Sequence, residues 1–364
     1  MTSIPFPISE RDSRWKKVKE HLERLQQDAM IVPLGVNFFY LFGKQGNPSE
    51  RLLAGIIPLD GDPFILSPGF EKSNIERSTG LDDIVTWEEV ESPYKILNKA
   101  IMDRGMGKNL MVDPHLWFIE VEKIQKQNNY AVTSGHQVLD KLRSIKSDWE
   151  ITQLQAASKA SAQGIMAVIP ELKQGLTEIE VFKMVEKEMS SRSQSPAAFG
   201  LVQFGENSAL PHGAPTTRKL KNDEVVLLDC GTSYNGYQGD ITITTAFGKP
   251  EGFEEIYDIV VAANRKALDV DKEGMVPANL DKIAREHIEK AGYGKYFTHR
   301  LGHGIGLEVH ETPYIVGTNS VPLVAGNCHS IEPGIYIPGK FGVRIEDDVH
   351  VRKEKTDLLF DFPR

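Results

Sequence analysis

The first part of the chain alternates short apolar runs with amphipathic segments. Val18, Leu22 and Leu25 recur at helical spacing and predict a helix over residues 11–28. Apolar runs bounded by turn residues predict strands at 29–34, 52–59, 63–67 and 110–112, with a helix near 93–104 between the last two. This order of elements predicts an α/β domain over residues 1–143.

From residue 144 onward the pattern changes to long helices. Ser147 with Glu150 forms the sequence signature of a capping box, which predicts a helix to about residue 169. Thr177 with Glu180 predicts a second helix that ends near residue 189. Two more amphipathic segments predict helices over roughly 253–270 and 278–291.

Each pair of predicted helices is followed by two β-rich runs joined at a turn. In the first, Asn235-Gly236 predicts a two-residue hairpin turn that sets Tyr234 opposite Tyr237. Counting back along both strands places Asp229 opposite Thr242 and puts Asp240 on the same face as Asp229, as its diagonal neighbour. Two such carboxylates predict either a cation site or an aspartate exposed at a strand end.

The second hairpin joins residues 330–336 to 343–348. Its five-residue loop is expected to pair Ile337 with Val343, which places Glu332 and Glu346 diagonally on one face. The order helix, helix, histidine segment and hairpin therefore occurs twice, and this duplication predicts a pseudo-twofold domain over residues 144–364. Such symmetry would bring the two acidic faces together.

Composition and charge narrow the class of protein. With 364 residues, 40% of them hydrophobic, the chain suits two domains of the α/β (α+β) class. A net charge of −9 and no polybasic run argue against nucleic acid as a partner. No apolar run is long enough for a membrane span, and Cys230 and Cys328 form no disulfide framework. We therefore expect a cytoplasmic protein with no membrane partner.

Four carboxylates and one imidazole carry the candidate chemistry. Asp229, Asp240, Glu332 and Glu346 converge in the duplicated arrangement, and His303 lies in a Gly-His-Gly-Ile-Gly turn. Four negative charges match two divalent cations, which can activate a water between them. Oxygen-rich coordination with one imidazole favours Mn²⁺, Fe²⁺ or Co²⁺, with zinc still possible.

These residues in their contexts, LLDCG, GDIT, GHGIGLEVHE, SIEPG and GVRIEDD, resemble the five-ligand dinuclear site of the pita-bread metallopeptidases. The likeness is greatest to Xaa-Pro dipeptidases (prolidases) and aminopeptidase P-type enzymes. Residues 36–43 resemble a run in their creatinase-type N-terminal domain. The resemblance implies a creatinase-like α/β domain over 1–143, a pita-bread catalytic domain over 144–364, and a homodimer whose N-terminal domains narrow access to the site.

The resemblance also implies individual roles. Asp229 would hold the first metal, His303 and Glu332 the second, and Asp240 and Glu346 would bridge them, with manganese as the leading metal. Glu332 would also accept a proton from the attacking water. His212 in PHGAP and His310 in EVHETP match histidines that face the substrate, here a proline-containing peptide.

Three further residues have expected positions near this site. Arg344 lies two residues from Glu346 on one strand face, where it can orient that carboxylate or the substrate, or form a neutralising ion pair. Thr242, opposite Asp229, can support the ligands with its hydroxyl. His299 is expected either to take part in the site or only to pack against its neighbours.

Two positions depart from the family pattern. Tyr314 stands where many proline dipeptidases have an arginine that can hold the terminal carboxylate, and Ile243 also replaces a frequent arginine. The leading prediction is a dinuclear metallopeptidase that cleaves Xaa-Pro dipeptides, with cleavage of longer Xaa-Pro peptides as the alternative. A different small-molecule hydrolase or lyase on the same fold, or a binding protein without catalysis, stays open.

Overall fold

The computed structural model describes residues 5–193, 195 and 198–362. The chain divides into two compact units, Met1–Leu142 and Arg143–Arg364. The elements of the first unit are α1 (Ile8–Arg24), β1 (Ala29–Pro33), α2 (Val36–Phe42), β2 (Ala54–Pro58), β3 (Phe64–Pro68), α3 (Lys72–Thr79), β4 (Ile84–Trp87), α4 (Pro93–Asp103), β5 (Asn109–Val112), α5 (Phe118–Asn128) and β6 (Ala131–Ser134). Helix α6 (His136–Ser144) contains the boundary in its last turn.

A six-stranded sheet in the order β4-β3-β2-β1-β5-β6 forms the centre of the first unit. Strands β1, β2 and β3 are antiparallel neighbours, whereas the other pairs are parallel. All residues of β1, β2 and β3 are buried, which explains why these strands are continuous apolar runs rather than alternating ones. The predicted strands and the helix near 93–104 are confirmed.

The first helix ends earlier than the sequence pattern predicts. Helix α1 ends at Arg24, and the next residue, Leu25, is 43% exposed. Val18 and Leu22 are fully buried, so the predicted apolar side is right for two of its three members. Gln26 has φ 54°, a left-handed conformation that cannot continue a right-handed helix and turns the chain toward β1.

The second unit repeats helices and hairpins. Its elements are α7 (Asp148–Val168), α8 (Glu178–Ser193), β7 (Ala198–Phe204), β8 (Glu224–Tyr234), β9 (Tyr237–Phe247), α9 (Phe253–Leu268), α10 (Pro277–Lys290), β10 (Gly302–Gly304), β11 (Glu311–Ile315), β12 (Cys328–Ile331), β13 (Gly334–Tyr336), β14 (Gly342–Arg344), β15 (Asp347–Val351) and β16 (Thr356–Leu358). The capping box of Ser147 and Glu150 is present, as are the reciprocal bonds between Thr177 and Glu180.

Each half of the second unit has its own hydrophobic core. In the first half α7 and α8 pack against β7, β8 and β9, whereas in the second half α9 and α10 pack against the later strands. The sheets follow the same division: β7-β8-β9 form one, β11-β10-β12-β15-β16 another, and β13-β14 a two-stranded ribbon. The duplicated order therefore corresponds to two separately packed layers, whose hairpins meet at the site described below.

The first hairpin, β8–β9, has the predicted register. Tyr234 pairs with Tyr237 and Asp229 pairs with Thr242, without a bulge. Gly239 is required on β9 because a Cβ there would lie 2.4 Å from the backbone nitrogen of Ser158 in α7. This close approach of helix and strand fixes the position of the adjacent Asp240.

The second hairpin has a different register from the prediction. Ile335, not Ile337, pairs with Val343, and Ile331 pairs with Asp347 beyond the gap between the two ladders. This register sets Glu332 opposite Glu346 rather than diagonal to it. The predicted pairing was wrong because Ile337 donates its backbone N–H to Phe341, so the hairpin turns within three residues instead of five.

Candidate metal centre

Three of the predicted ligands meet where the two hairpins face each other. One side-chain atom each from Asp240, His303 and Glu346 lies within 4.8 Å of the other two, and all three residues are buried. Asp240 is carried by β9, His303 by β10, and Glu346 lies between β14 and β15. The cluster therefore combines ligands from both halves of the duplicated unit.

Glu332 adjoins this cluster through His303. The Nε2 atom of His303 lies 3.2 Å from Oε1 of Glu332, and the Nδ1 atom lies 3.2 Å from the Gly304 carbonyl oxygen. A proton on Nδ1 would be donated to that carbonyl and would leave the Nε2 lone pair facing the carboxylates, which is the usual arrangement of a ligating histidine. Ser330 donates its hydroxyl to Glu332 and accepts the His303 backbone N–H, which fixes both side chains.

The backbone hydrogen-bond ladder of the second hairpin is interrupted at Glu332 and Glu346. The backbone N–H of Glu332 donates to Leu301 and that of Glu346 donates to Thr242, so neither amide is used within the hairpin. Pro333 has no N–H to contribute to the ladder. The interruption leaves both glutamate side chains at the contact with β9 and β10, the strands that carry Asp240 and His303.

Asp229 lies in the same cavity but is held by Arg344. Its Oδ2 atom accepts a short hydrogen bond from Nη2 of Arg344. Nε of Arg344 donates to Thr242 at 3.1 Å, and Thr242 donates its hydroxyl to Oε2 of Glu346 at 2.6 Å. Arg344 thus contacts Asp229 directly and reaches Glu346 only through Thr242, whose hydroxyl supports Glu346 rather than its cross-strand partner Asp229.

The electrostatics of the cluster indicate a cation. Burial, followed by repulsion from neighbouring carboxylates, raises the pKa of both Asp240 and Glu346 well above its ordinary value. Burial also acts to raise the pKa of Glu332, but the hydrogen bond and charge of a His303 ring protonated on Nε2, together with the charges of His299 and Arg344, lower that pKa to about 2. Oδ1 of Asp240 and Oε1 of Glu346 are buried without a hydrogen-bond partner. A divalent cation would satisfy both oxygens and keep the carboxylates ionised.

A cavity of about 650 Å³ contains these residues and both predicted substrate-facing histidines. His212 lies in the turn before β8 and His310 immediately before β11. The ring of His310 packs edge-to-face on that of His303, with centroids 4.2 Å apart. The structure therefore brings all the predicted site residues to one cavity or, in the case of Thr242, into hydrogen-bond contact with its wall.

Contacts of Tyr336 with Arg344 and His299 were not predicted from the sequence. The hydroxyl of Tyr336 accepts a hydrogen bond from Nη1 of Arg344 at 2.7 Å and lies 2.8 Å from Nε2 of His299. Burial raises the pKa of Tyr336 to about 12, so this hydroxyl stays protonated. The alternation of Glu332, Gly334 and Tyr336 on one strand face is the sequence signal that could have identified it.

Asp348 is a further buried carboxylate that sequence reasoning missed. It accepts hydrogen bonds from the Ser158 hydroxyl at 2.6 Å and from the backbone N–H of Asp240 at 2.9 Å. Burial raises its pKa to about 7 in spite of these two bonds. Asp348 therefore links α7, β9 and β15 next to Asp240, a predicted ligand. In the sequence, only the repeated Asp of the GVRIEDD stretch could have pointed to it.

Comparison with known proteins identifies the family. Residues 152–353 match the model of metallopeptidase family M24, and residues 14–145 match the creatinase/prolidase N-terminal domain. The chain belongs to metallopeptidase family M24. As a member of this family it is a metal-dependent peptidase, with a creatinase-type N-terminal domain and a pita-bread domain, as the sequence predicted.

Relatives of this M24 peptidase match it over nearly the whole chain. A putative dipeptidase from Bacillus subtilis, YkvY, is 35% identical over 357 residues, which cover 97% of this chain and 98% of the relative. The crystal structure of a prolidase from Thermococcus sibiricus superposes with a TM-score of 0.88 at 33% identity and covers 98% of each chain. An X-Pro aminopeptidase structure from Thermotoga maritima gives a TM-score of 0.86 at 27% identity, over 96% of this chain and 98% of that chain.

No helix in the described part of this M24 peptidase is both long and apolar enough to cross a membrane. Its two cysteines, Cys230 and Cys328, are free and buried. Burial raises the pKa of the Cys328 thiol to about 12 and that of Cys230 well above its ordinary value, so neither is a thiolate at neutral pH. The two cysteines are therefore poor candidates for a metal ligand or a nucleophile.

Proposed function

We propose that this M24 peptidase is an Xaa-Pro dipeptidase that uses two divalent metal ions, with Mn²⁺ as the working metal. The observation that carries the proposal is the meeting of Asp240, His303 and Glu346 beside Glu332 in one cavity. The names of the similar proteins, a putative dipeptidase and a prolidase, support the substrate class. The mostly oxygen ligands support Mn²⁺.

The ligand roles follow the resemblance. Asp229 would hold one ion, His303 and Glu332 the other, and Asp240 and Glu346 would bridge them. When bound, the two ions polarise the scissile carbonyl and lower the pKa of the attacking water. The Arg344 contact with Asp229 and the Thr242 contact with Glu346 hold one carboxylate from each hairpin in a fixed orientation.

Protein side chains carry out the proton transfers and orient the peptide. Glu332 lies in the cavity beside His303, and as a carboxylate it can accept a proton from the attacking water. His212 and His310 line the cavity and would donate hydrogen bonds to the substrate carbonyl or to the leaving proline nitrogen. Apolar residues of the same wall, Phe199, Leu201 and Val309, offer a surface for the proline ring.

Cleavage of longer Xaa-Pro peptides is the second candidate function. It is favoured by Tyr314, which replaces an arginine frequent in proline dipeptidases, and by the likeness to an X-Pro aminopeptidase structure. The cavity alone does not distinguish the two, because both reactions need the same metal ligands and proton acceptor.

A hydrolysis panel tests this proposal. The metal-depleted full-length protein would be supplied with Mn²⁺, Co²⁺ or Zn²⁺ and offered Ala-Pro, Ala-Pro-Ala and Ala-Ala. The proposal expects Ala-Pro to be cleaved fastest and Mn²⁺ to activate best, whereas preferred cleavage of Ala-Pro-Ala would favour the second candidate. Cleavage of neither proline substrate with any of the metals would show that the proposed function is wrong.

A homodimer is also proposed, on the strength of the creatinase/prolidase N-terminal domain. Within the first unit, Phe70 and Trp117 are 66% and 46% exposed at a cavity of about 300 Å³, which gives that unit an apolar surface suited to a partner. Light scattering coupled to size-exclusion chromatography would measure twice the 40.7 kDa mass of the chain if the proposal holds. A mass of a single chain at micromolar concentration would contradict it.

A further inference from the structure

One cationic side chain in the cavity has no role in the metal centre. Arg300 lies two residues before β10, is half-buried, and is one of the residues that line the cavity together with His303 and His310. The other arginine of the cavity, Arg344, is already bonded to Asp229. Arg300 therefore differs from Arg344 in being near the site without serving its ligands.

Arg300 is held by an aromatic ring rather than by a carboxylate. Its guanidinium lies 4.5 Å from the centroid of the Tyr314 ring. Tyr314 is carried by β11, which pairs with β10 through Gly302 and Ile315, so the pairing of the two strands brings the ring beneath the arginine. A stack of this kind fixes the plane of the guanidinium while leaving its N–H groups available for hydrogen bonds.

Arg300 also lacks a counter-ion. Across residues 5–193, 195 and 198–362 it forms no ion pair, whereas the arginines Arg143, Arg285 and Arg344 of the same unit are each bonded to a carboxylate. An oriented arginine in a substrate cavity with its N–H groups unused matches a planar anion that can accept two hydrogen bonds. A carboxylate has this geometry.

We propose that Arg300, supported by Tyr314, binds a carboxylate of the peptide substrate. This inference rests on the proposed function, and it concerns the specificity of the same cavity. Two groups of an Xaa-Pro peptide have this chemistry: the C-terminal carboxylate, which every dipeptide carries, and the side chain of an acidic first residue. In either case Arg300 supplies the positive charge, and the Tyr314 ring on which it stacks holds the guanidinium in place.

The test compares Arg300→Gln with the parent on matched substrates. Ala-Pro and Ala-Pro amide differ only in the C-terminal carboxylate, and Asp-Pro amide and Asn-Pro amide differ only in the side-chain carboxylate. Loss of a charge-assisted bidentate contact is expected to raise KM by about 10- to 100-fold for the substrate that carries the recognised carboxylate. Its partner substrate and kcat should change by less than about 3-fold, because the contact is equally present in the ground and transition states.

Lys295→Gln is the matched control, because Lys295 also stacks on a ring, that of Tyr296, but lies outside the cavity lining. Its kinetics should equal those of the parent. Arg300→Lys should recover part of the loss, and Tyr314→Leu should raise the same KM by a smaller factor than Arg300→Gln because the charge remains while its support is lost.

A selective effect within the Ala-Pro pair assigns Arg300 to the C-terminal carboxylate, and one within the Asp-Pro and Asn-Pro pair assigns it to an acidic side chain. Equal losses on all four substrates, or no change on any, would overturn the proposal. Failure of the parent to cleave any Xaa-Pro substrate would instead overturn the proposed function. The two failures are therefore distinguishable.

Discussion

The two hairpins of the second unit contribute carboxylates by different structural means. In the first, β8 and β9 form one continuous ladder of eleven residue pairs, and the pleat alone decides which side chains share a face. In the second, the ladder is interrupted at Glu332 and Glu346, whose amides bond to segments outside the hairpin. A continuous ladder can be predicted by counting from its turn, whereas an interrupted one depends on contacts that are distant in the sequence.

The aspartates and the glutamates of the two hairpins are also held in position by different contacts. The aspartates on the continuous ladder are fixed by backbone pairing, and Asp240 is further held by Asp348. The glutamates at the interruption are held by side chains, Glu332 by Ser330 and His303, and Glu346 by Thr242. We therefore expect the first hairpin to be most sensitive to changes in backbone packing and the second to changes in supporting side chains.

The largest effect is expected from Glu332→Gln. The amide cannot accept the proton that Glu332 is proposed to take, so kcat for Ala-Pro should fall by about 10²- to 10⁴-fold. Binding of a competitive inhibitor should change far less, and the metal content measured in parallel separates loss of the base from loss of a ligand. A variant that turns over Ala-Pro at a near-parental rate would remove Glu332 from the proton transfer.

A large effect on stability is expected from Glu311→Gln, just after His310. Glu311 is buried and bonded to Arg143 at 2.5 Å and Lys146 at 2.9 Å. The variant removes the carboxylate charge that Lys146 contacts and leaves Arg143 paired with Glu308, which should lower the free energy of unfolding by about 3 to 5 kcal/mol. Denaturant unfolding at pH 7 measures the difference.

The same variant has a predicted pH dependence. Burial acts to raise the pKa of Glu311, but Lys146 and Arg143 outweigh it and lower the folded-state pKa below the unfolded value of about 4.3. A lowered folded-state pKa gives stability that is present above the unfolded pKa and lost as the pH falls through the folded one. The gap between parent and variant should therefore be constant from pH 6 to 8 and narrow below about pH 4; a gap that widens on acidification would contradict this explanation.

Thr242→Val tests the side-chain support of the second hairpin. It removes the hydroxyl that bonds Glu346 and accepts from Arg344, and affinity for Mn²⁺ should fall by about 10- to 100-fold. Thr244→Val is the matched control, since Thr244 lies on the same strand but bonds only the backbone of Arg344. Isothermal titration with Mn²⁺ should separate the two variants, and equal affinities would show that the Thr242 hydroxyl does not support the metal centre.

The smallest effects are expected from glycine substitutions, which compare the two hairpins directly. Gly239→Ala places a Cβ against the α7 backbone and should cost about 1 to 3 kcal/mol of stability and weaken Mn²⁺ binding, because Asp240 is adjacent. Gly339→Ala, at the tip of the second hairpin with φ 74°, should cost about 1 to 2 kcal/mol without changing Mn²⁺ affinity. Thermal unfolding and metal titration of both proteins check the pair; Mn²⁺ affinity unchanged in Gly239→Ala would break the proposed link between packing and ligand position.

Much of this fold could be predicted from local sequence signals. Capping boxes at Ser147 and Thr177 marked two helices, and Asn235-Gly236 set the register of the first hairpin. The register of the second could not be obtained in this way, because the bond from Ile337 to Phe341 shortens its turn. Leu25 fits a helical pattern but follows the end of its helix, where the backbone and not the side chains decides the boundary.

The sequence predicted which residues form the candidate site better than it predicted which of them contact each other. Residue types and local contexts predicted residues that the structure brings to one cavity, but the pairing of Arg344 with Asp229 and of Thr242 with Glu346 joins residues more than 100 positions apart in the sequence. The contribution of Asp348, which bonds Ser158 and Asp240, has the same origin. Such contacts between distant segments leave no periodic signal in one sequence.

Metal stoichiometry is the most direct test of the proposal that both hairpins build one dinuclear centre. The full-length protein, and an Asp240→Ala variant, would be equilibrated with Mn²⁺, freed of unbound metal and analysed by mass spectrometry for metal per chain. The account predicts two Mn²⁺ ions per chain in the parent and less than one in the variant, because Asp240 is proposed to bridge them. A parent chain without stoichiometric metal, or a variant that keeps both ions, would contradict it.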